Sequence, residues 1–150
     1  ASAIATDALA LHDRSDPLTF MAARQSAQLA YEQANIRPND IDVFEVFDRF
    51  TIYAALSLEA ADMAARGEGW KLAQKSGVRL DGRIPISTFG GLKARGNCGG
   101  ATGVYQIAEL VQQLLGEAAD NQVTDAHCGM AQCLGASAAT AVTHVLERVL

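Results

Sequence analysis

The chain has 150 residues, which is enough for one domain with a substantial hydrophobic core. Apolar residues make up 49% of it and charged residues 19%, a composition typical of globular proteins. The net charge of −5 disfavours nucleic acid as a partner, and no apolar run approaches the length of a membrane span.

The first third of the chain predicts a strand, a helix and a second strand. Residues 3–8 are predicted as a short strand. Residues 18–35 are rich in alanine and predict a helix that Pro17 helps to start. Residues 41–47 alternate apolar with acidic side chains, the pattern of a strand.

The middle third predicts a second helix over residues 51–66. Its predicted buried side chains are Ile52, Leu56 and Met63. Residues 67–82 are expected to form a looped insertion with one helical piece, and residues 84–87 a short strand.

A glycine-rich loop precedes the most regular apolar pattern of the chain. Six of the thirteen glycines fall between Gly90 and Gly103. The helix that follows is predicted to end at Gly116 and to have one buried face. The predicted buried residues are Val104, Ile107, Ala108, Val111, Leu114 and Leu115.

The last third predicts two strands, residues 122–131 and 138–149, which can pair as a terminal hairpin. Alternating strands and helices with such a hairpin predict an α/β domain, with a mixed sheet covered by helices.

The glycine-rich loop has two interpretations from residue types alone. It lacks the Gly-Lys-Ser/Thr ending of a phosphate-binding P-loop, and it does not match a dinucleotide fingerprint. Free N–H groups at the start of the next helix suit a ligand oxygen or a developing oxyanion. The alternative is a tight turn with a purely structural role.

The cysteines Cys98, Cys128 and Cys133 are odd in number and unsuited to a disulfide framework. They predict free thiols in a reducing compartment, and hence a cytoplasmic protein. The spacing of His127, Cys128 and Cys133 is poor for zinc, so no metal site is predicted.

Three segments in order resemble the C-terminal half of thiolases. Residues 90–103 resemble the family's Gly-Gly…Gly-His-Pro-x-Gly-Ala-Thr/Ser-Gly signature. Residues 40–51 resemble the Asp-Ile-Asp-x-x-Glu-x-His-Asp-x-Phe-Thr segment of the sterol-carrier-protein and archaeal thiolases. Cys133 and Gly135 stand where the family keeps a Cys-x-Gly loop.

This resemblance implies that residues 1–150 are a thiolase-like C-terminal domain, and that the half with the nucleophilic cysteine is absent from this chain. It implies an acetyl-CoA acetyltransferase type of enzyme, which condenses acyl-CoA or cleaves 3-oxoacyl-CoA without a cofactor beyond its coenzyme A thioester substrate. The implied partners are the N-terminal half, further copies in a homo-oligomer, and an OB-type acyl-CoA-binding protein. Alone, the chain is expected to be inactive.

The implied catalytic residues are Asn97, at the family's histidine position, and Cys133. The implied substrate-binding residues are Gly90, Gly91, Gly96, Gly99 and Gly100. Asn97 can donate a hydrogen bond but has no useful basicity near neutral pH. Cys133 is alternatively a small buried hydrophobe.

Two further positions depart from the family pattern. Phe47 replaces a histidine, and Arg49 replaces the acid/base cysteine of the sterol-carrier-protein branch. These departures favour an alternative function, a repurposed member that acts as a non-catalytic assembly subunit or as a retro-aldolase on acyl-CoA. Glu45 and Asp48 lie beside the implied site, and their alternative roles are a solvated strand residue and a cap of the next helix.

Overall fold

The computed structural model describes residues 1–74 and 76–149, which form a mixed four-stranded sheet in the order β1-β4-β3-β2. β2 runs parallel to β3, whereas β4 is antiparallel to both β3 and β1. The strands are β1 (Ser2–Thr6), β2 (Val43–Glu45), β3 (Cys128–Gly135) and β4 (Thr140–Glu147). The predicted mixed sheet of an α/β domain is confirmed.

Two long helices cover opposite faces of this sheet. The helices are α1 (Met21–Ala34), α2 (Thr51–Ala60), α3 (Gly69–Gln74), α4 (Gly91–Arg95) and α5 (Thr102–Leu115). Phe44 and Met130 pack in one cluster with side chains of α1. Their neighbours Val43 and Ala131 pack with Leu110 of α5. Successive strand residues point to opposite faces, so the domain has three layers.

The first predicted helix, 18–35, begins later than expected, at Met21. The Asp16 carboxylate accepts the N–H of Leu18 at 3.0 Å and the hydroxyl of Thr19 at 2.8 Å. These local hydrogen bonds hold the preceding residues in a turn and compete with the helix.

The second helix, α2, is shorter than the predicted range 51–66. Asp62 adopts a φ of 55°, a left-handed conformation that does not continue a right-handed helix. Of the predicted buried side chains, Leu56 is buried and Met63 is partly buried, but Ile52 is exposed.

The strand predicted for 84–87 is reduced to a single parallel bridge between Ile86 and Phe44. The strand predicted for 122–131 begins only at Cys128, because the preceding residues form hydrogen bonds that close the end of α5. The remaining strands lie inside their predicted ranges or extend one residue beyond them.

The predicted buried face of α5 is largely wrong. Leu114 is buried and Ile107 is partly buried, whereas four of the six residues are exposed. The exposed four are Val104, Ala108, Val111 and Leu115. The helix therefore turns most of its apolar stripe away from its own sheet.

The face of α5 that meets the sheet carries several polar side chains beside the buried Leu110 and Leu114. The Gln106 amide donates to the carbonyl oxygens of Glu45 and Gln132, both at 3.1 Å. Gln113 donates to the Asn121 carbonyl at 2.7 Å, and its own oxygen accepts the N–H of Val123 at 2.8 Å. Long amides thus satisfy buried backbone groups of the sheet and the following loop, which allows a polar face to be buried.

None of the helices in the described part of the chain combines the length and the apolar character that a membrane crossing requires.

Candidate active site

A surface cavity of about 420 Å³ lies where three segments meet. These segments are the chain after β2, the loop before α5 and the hairpin of β3 and β4. The lining residues are Phe47, Arg49, Asn97, Gly99, Gly100, Cys133, Leu134, Gly135, Ala136, Thr140 and Val142. The cavity thus gathers residues from all three segments that resemble thiolase motifs.

Asn97 stands in the glycine-rich loop with its side chain oriented by that loop. Its carboxamide oxygen accepts the N–H of Gly99 at 3.3 Å and the hydroxyl of Thr102 at 3.5 Å. Because the oxygen faces the loop, the two N–H bonds of the amide are left to donate elsewhere. Asn97 is exposed, so a substrate oxygen in the cavity can accept from it.

Cys133 lies near the end of β3, against the first turn of α5. The backbone N–H groups of Gly103 and Leu134 donate to its sulfur. Burial raises the pKa of the Cys133 thiol, and these two hydrogen bonds offset only part of the effect. A thiol with a raised pKa stays protonated near neutral pH, which suits a proton donor.

Asp48 holds the glycine-rich loop in place. One of its carboxylate oxygens accepts the N–H of Leu92 at 2.8 Å, at the start of α4. Gly91, at φ 59°, passes directly beneath this carboxylate, and a Cβ at Gly91 would lie 2.4 Å from an Asp48 oxygen. Asp48 therefore anchors α4, and the predicted alternative of a cap on the helix after Phe50 is wrong because no side-chain cap occurs there.

Arg95 ties the other end of α4 to α5. Its guanidinium forms an ion pair with Glu109, and it lies over the Tyr105 ring at 4.9 Å. Both charged side chains are largely buried, with 18% and 9% of their surface exposed. Sequence spacing gives no signal for this pair, because its members belong to different helices.

Glu45 is a buried carboxyl beneath the same loop. Its side chain accepts the N–H of Thr88 at 3.0 Å, and the residue is 1% exposed, so its predicted alternative as a solvated strand residue is wrong. Burial raises the pKa of Glu45 to about 7, although the Thr88 N–H and the Arg95 charge lower it. Glu45 is not among the residues that line the cavity.

The predicted glycines divide into two groups. Gly99 and Gly100 line the cavity together with Asn97 and Cys133. Gly96, Gly90 and Gly91 do not line it. Gly90 and Gly91 begin α4, so their geometry supports a role in shaping the loop.

Across residues 1–74 and 76–149, His, Cys, Asp and Glu side chains form no group of three or more that could hold a metal ion.

Residues 3–148 match a family described as thiolase C-terminal domain-like. The chain is 43% identical over 148 residues to an acetyl-CoA acetyltransferase of Methanothermobacter thermautotrophicus, covering 99% of the chain and 39% of that relative. It is 37% identical over 124 residues to human sterol carrier protein 2, covering 83% of the chain and 23% of that relative.

A solved structure titled Ltp2-ChsH2(DUF35) aldolase has the same fold, with a TM-score of 0.84 and 22% sequence identity. The match covers 98% of this chain and 38% of that one. The chain thus spans about two fifths of the length of both this structure and the archaeal relative.

Proposed function

The chain belongs to the thiolase family as a C-terminal domain, and we propose that its parent protein is an acyl-CoA C-acyltransferase of the acetyl-CoA acetyltransferase type. Its substrates would be coenzyme A thioesters, with no further cofactor. The reaction is thiolysis of 3-oxoacyl-CoA or, in reverse, Claisen condensation. This proposal rests on one observation: Asn97, a hydrogen-bond donor, and Cys133, a protonated thiol, line the same cavity.

In the thiolysis direction a nucleophilic cysteine of the N-terminal half attacks the C3 carbonyl of the substrate. The bond between C2 and C3 breaks, the acyl group stays on that cysteine, and the electron pair forms a thioester enolate. Cys133 donates its proton to C2, which releases the acyl-CoA that contains C1 and C2, such as acetyl-CoA. The thiol of a second coenzyme A then returns a proton to the Cys133 thiolate. Its sulfur takes the shortened acyl group, and the nucleophilic cysteine leaves as a thiolate.

Asn97 serves this sequence as an oxyanion donor. Its free amide N–H groups stabilise the oxygen of the enolate while negative charge develops there. Because an amide does not accept a proton near neutral pH, we assign the base that activates the nucleophile to the N-terminal half.

The N-terminal half is the first proposed partner. The outer face of α5 exposes 72% of Val104, 38% of Val111 and 61% of Leu115, an apolar stripe that a second domain would cover. The chain's 39% share of the archaeal relative's length leaves room for such a domain. Without that half, we expect no thiolysis and at most weak coenzyme A binding.

We further propose that the complete protein forms homo-oligomers and works in the cytoplasm, where its three free cysteines remain reduced. An OB-type acyl-CoA-binding protein is a proposed additional partner.

A retro-aldolase is the second candidate function, because Asn97 leaves the site without the family's histidine. In that reaction a base removes the hydroxyl proton of a 3-hydroxyacyl-CoA. The C2–C3 bond then breaks to give an aldehyde or ketone and a thioester enolate, which is protonated to acyl-CoA. This chemistry needs no nucleophilic cysteine, and the same Asn97 donor would stabilise the enolate. A non-catalytic assembly subunit is the remaining alternative.

Turnover of the full-length protein tests the proposal. Thiolysis converts 3-oxoacyl-CoA and coenzyme A into two acyl-CoA molecules, whereas the aldolase reaction yields a carbonyl product from 3-hydroxyacyl-CoA.

For an acyltransferase, Asn97→Ala should lower kcat about 10²–10³-fold with little change in substrate binding. Asn97→His should raise thiolysis, and Asn39→Ala, outside the cavity, is the matched control. Carbonyl product from 3-hydroxyacyl-CoA with no thiolysis would favour the aldolase, and an unchanged kcat in Asn97→Ala would make the loop a scaffold.

A further inference from the structure

Arg49 extends from the segment after β2 into the lining of the candidate site. Its guanidinium carbon lies 5.3 Å from the centre of the Phe50 ring. Phe50 in turn packs edge-on against Tyr53 at 5.2 Å, and Tyr53 against the buried Phe20 at 4.9 Å. This row of aromatic rings connects the exposed guanidinium to the core.

The charge of Arg49 has no counter-charge on the described residues. The cavity that it lines contains no acidic side chain, and no carboxylate of residues 1–74 or 76–149 forms an ion pair with it. The other lining side chains are apolar or neutral, so none of them competes with a bound anion for the guanidinium. A guanidinium stacked on an aromatic ring still has its in-plane N–H groups free to bind a carboxylate with two hydrogen bonds.

We propose that Arg49 binds a carboxylate on the acyl group, and that the parent protein therefore acts on dicarboxylic acyl-CoA thioesters. This inference rests on the proposed function, because it takes the thioester to lie beside Asn97 and Cys133.

The acyl group is a better source of the anion than coenzyme A itself. Coenzyme A also carries phosphates, which a guanidinium binds equally well. The long pantetheine arm separates those phosphates from the thioester. A cavity of about 420 Å³ that holds the thioester has room for a short acyl chain but not for the phosphates of coenzyme A as well.

Equilibrium binding to the full-length protein tests the inference without requiring turnover. The ligands are thioethers of coenzyme A, which cannot transfer an acyl group: S-butyl-CoA, and a series with carboxyethyl, carboxypropyl and carboxybutyl groups. Titration calorimetry should show that one carboxyalkyl thioether binds about ten- to a hundredfold more tightly than S-butyl-CoA. Arg49→Gln should abolish that preference, and Arg49→Lys should retain part of it.

Two controls identify the source of the effect. Arg79→Gln removes an exposed guanidinium outside the cavity and should preserve the preference. Phe50→Leu removes the stacking partner of Arg49 and should reduce the preference while leaving S-butyl-CoA binding unchanged.

Three outcomes overturn the inference. Equal binding of all the thioethers by the unmodified protein would show that no carboxylate is selected. An equal loss of affinity for free coenzyme A and for every thioether in Arg49→Gln would assign the arginine to a phosphate. Absence of binding by every ligand would overturn this inference and also the coenzyme A thioester substrate of the proposed function, whereas equal binding leaves that function intact.

Discussion

The two faces of α5 differ from those of the usual amphipathic helix, because both of them carry apolar side chains. The face against the sheet buries Gln106, Glu109 and Gln113, whereas the outer face exposes Val104 and Leu115. A surface helix normally turns its apolar stripe toward its own core. The exposed stripe of α5 supports the proposal that a second domain covers it. The inner face combines the buried Leu110 and Leu114 with the hydrogen bonds of Gln106 and Gln113 and with the ion pair of Glu109.

The largest effect is expected on the inner face. Glu109→Ala should destabilise the chain by about 3–5 kcal/mol, because it leaves the largely buried Arg95 guanidinium without its partner. The measurement is the urea midpoint at neutral pH, with the exposed Glu117→Ala as control. The Arg95→Met/Glu109→Leu double variant should be more stable than Glu109→Ala. Equal midpoints for Glu109→Ala and Glu117→Ala would show that the ion pair does not hold this face.

A pH-dependent effect of about 3 kcal/mol is expected from Glu45, beneath the same face. Its pKa is raised by burial to about 7, so the folded chain holds a proton that the unfolded chain releases. This stabilisation is complete below about pH 4.5 and is lost as the pH rises to about 7.

Glu45→Gln should remove this dependence. Relative to the unmodified chain, the variant should gain stability by about that amount between those two pH values, as measured by urea unfolding across the range. Glu32→Gln, on the exposed side of α1, is the charge-matched control. Parallel stability curves for Glu45→Gln and the unmodified chain would contradict a buried, protonated Glu45.

The fold of this chain could be predicted from the sequence more fully than its candidate site. The mixed sheet followed from the alternation of strand and helix patterns, which are local properties of the chain. The candidate site depended on motif resemblance, which singled out Asn97 and Cys133, and the structure brings them to one cavity. Their catalytic roles stay predictions.

The polar contacts that hold the glycine-rich loop could not be predicted from the sequence. Arg95 contacts Glu109 because α4 packs against α5. Asp48 contacts Gly91 although the two residues are far apart in the sequence. The prediction of which α5 residues are buried was wrong for a different reason. Periodicity shows that a helix has an apolar face, but it does not show whether that face meets its own domain or another one.

The smallest effect on stability is expected on the outer face. Leu115→Asp in this 150-residue chain should change the unfolding free energy by no more than about 0.5 kcal/mol, because the side chain is already 61% exposed. The same change should reduce self-association, measured by light scattering at high concentration.

In the full-length protein, by contrast, Leu115→Asp should be strongly destabilising, because the charge would be buried between domains. An unmodified chain that is monomeric at high concentration and binds no hydrophobic dye would contradict an unpartnered apolar face.

The pairing of β1 with β4 has a consequence for synthesis. Within this domain β1 is the first strand to leave the ribosome, and β4, its neighbour in the sheet, is the last. The main-chain nitrogen of Ala1 also donates to the carbonyl of Val145, at 2.8 Å, which adds to this pairing. The sheet therefore cannot be completed until almost the whole domain has been translated. A ribosome that stalls before β4 leaves β1 as an unpaired edge, available to a neighbouring nascent chain.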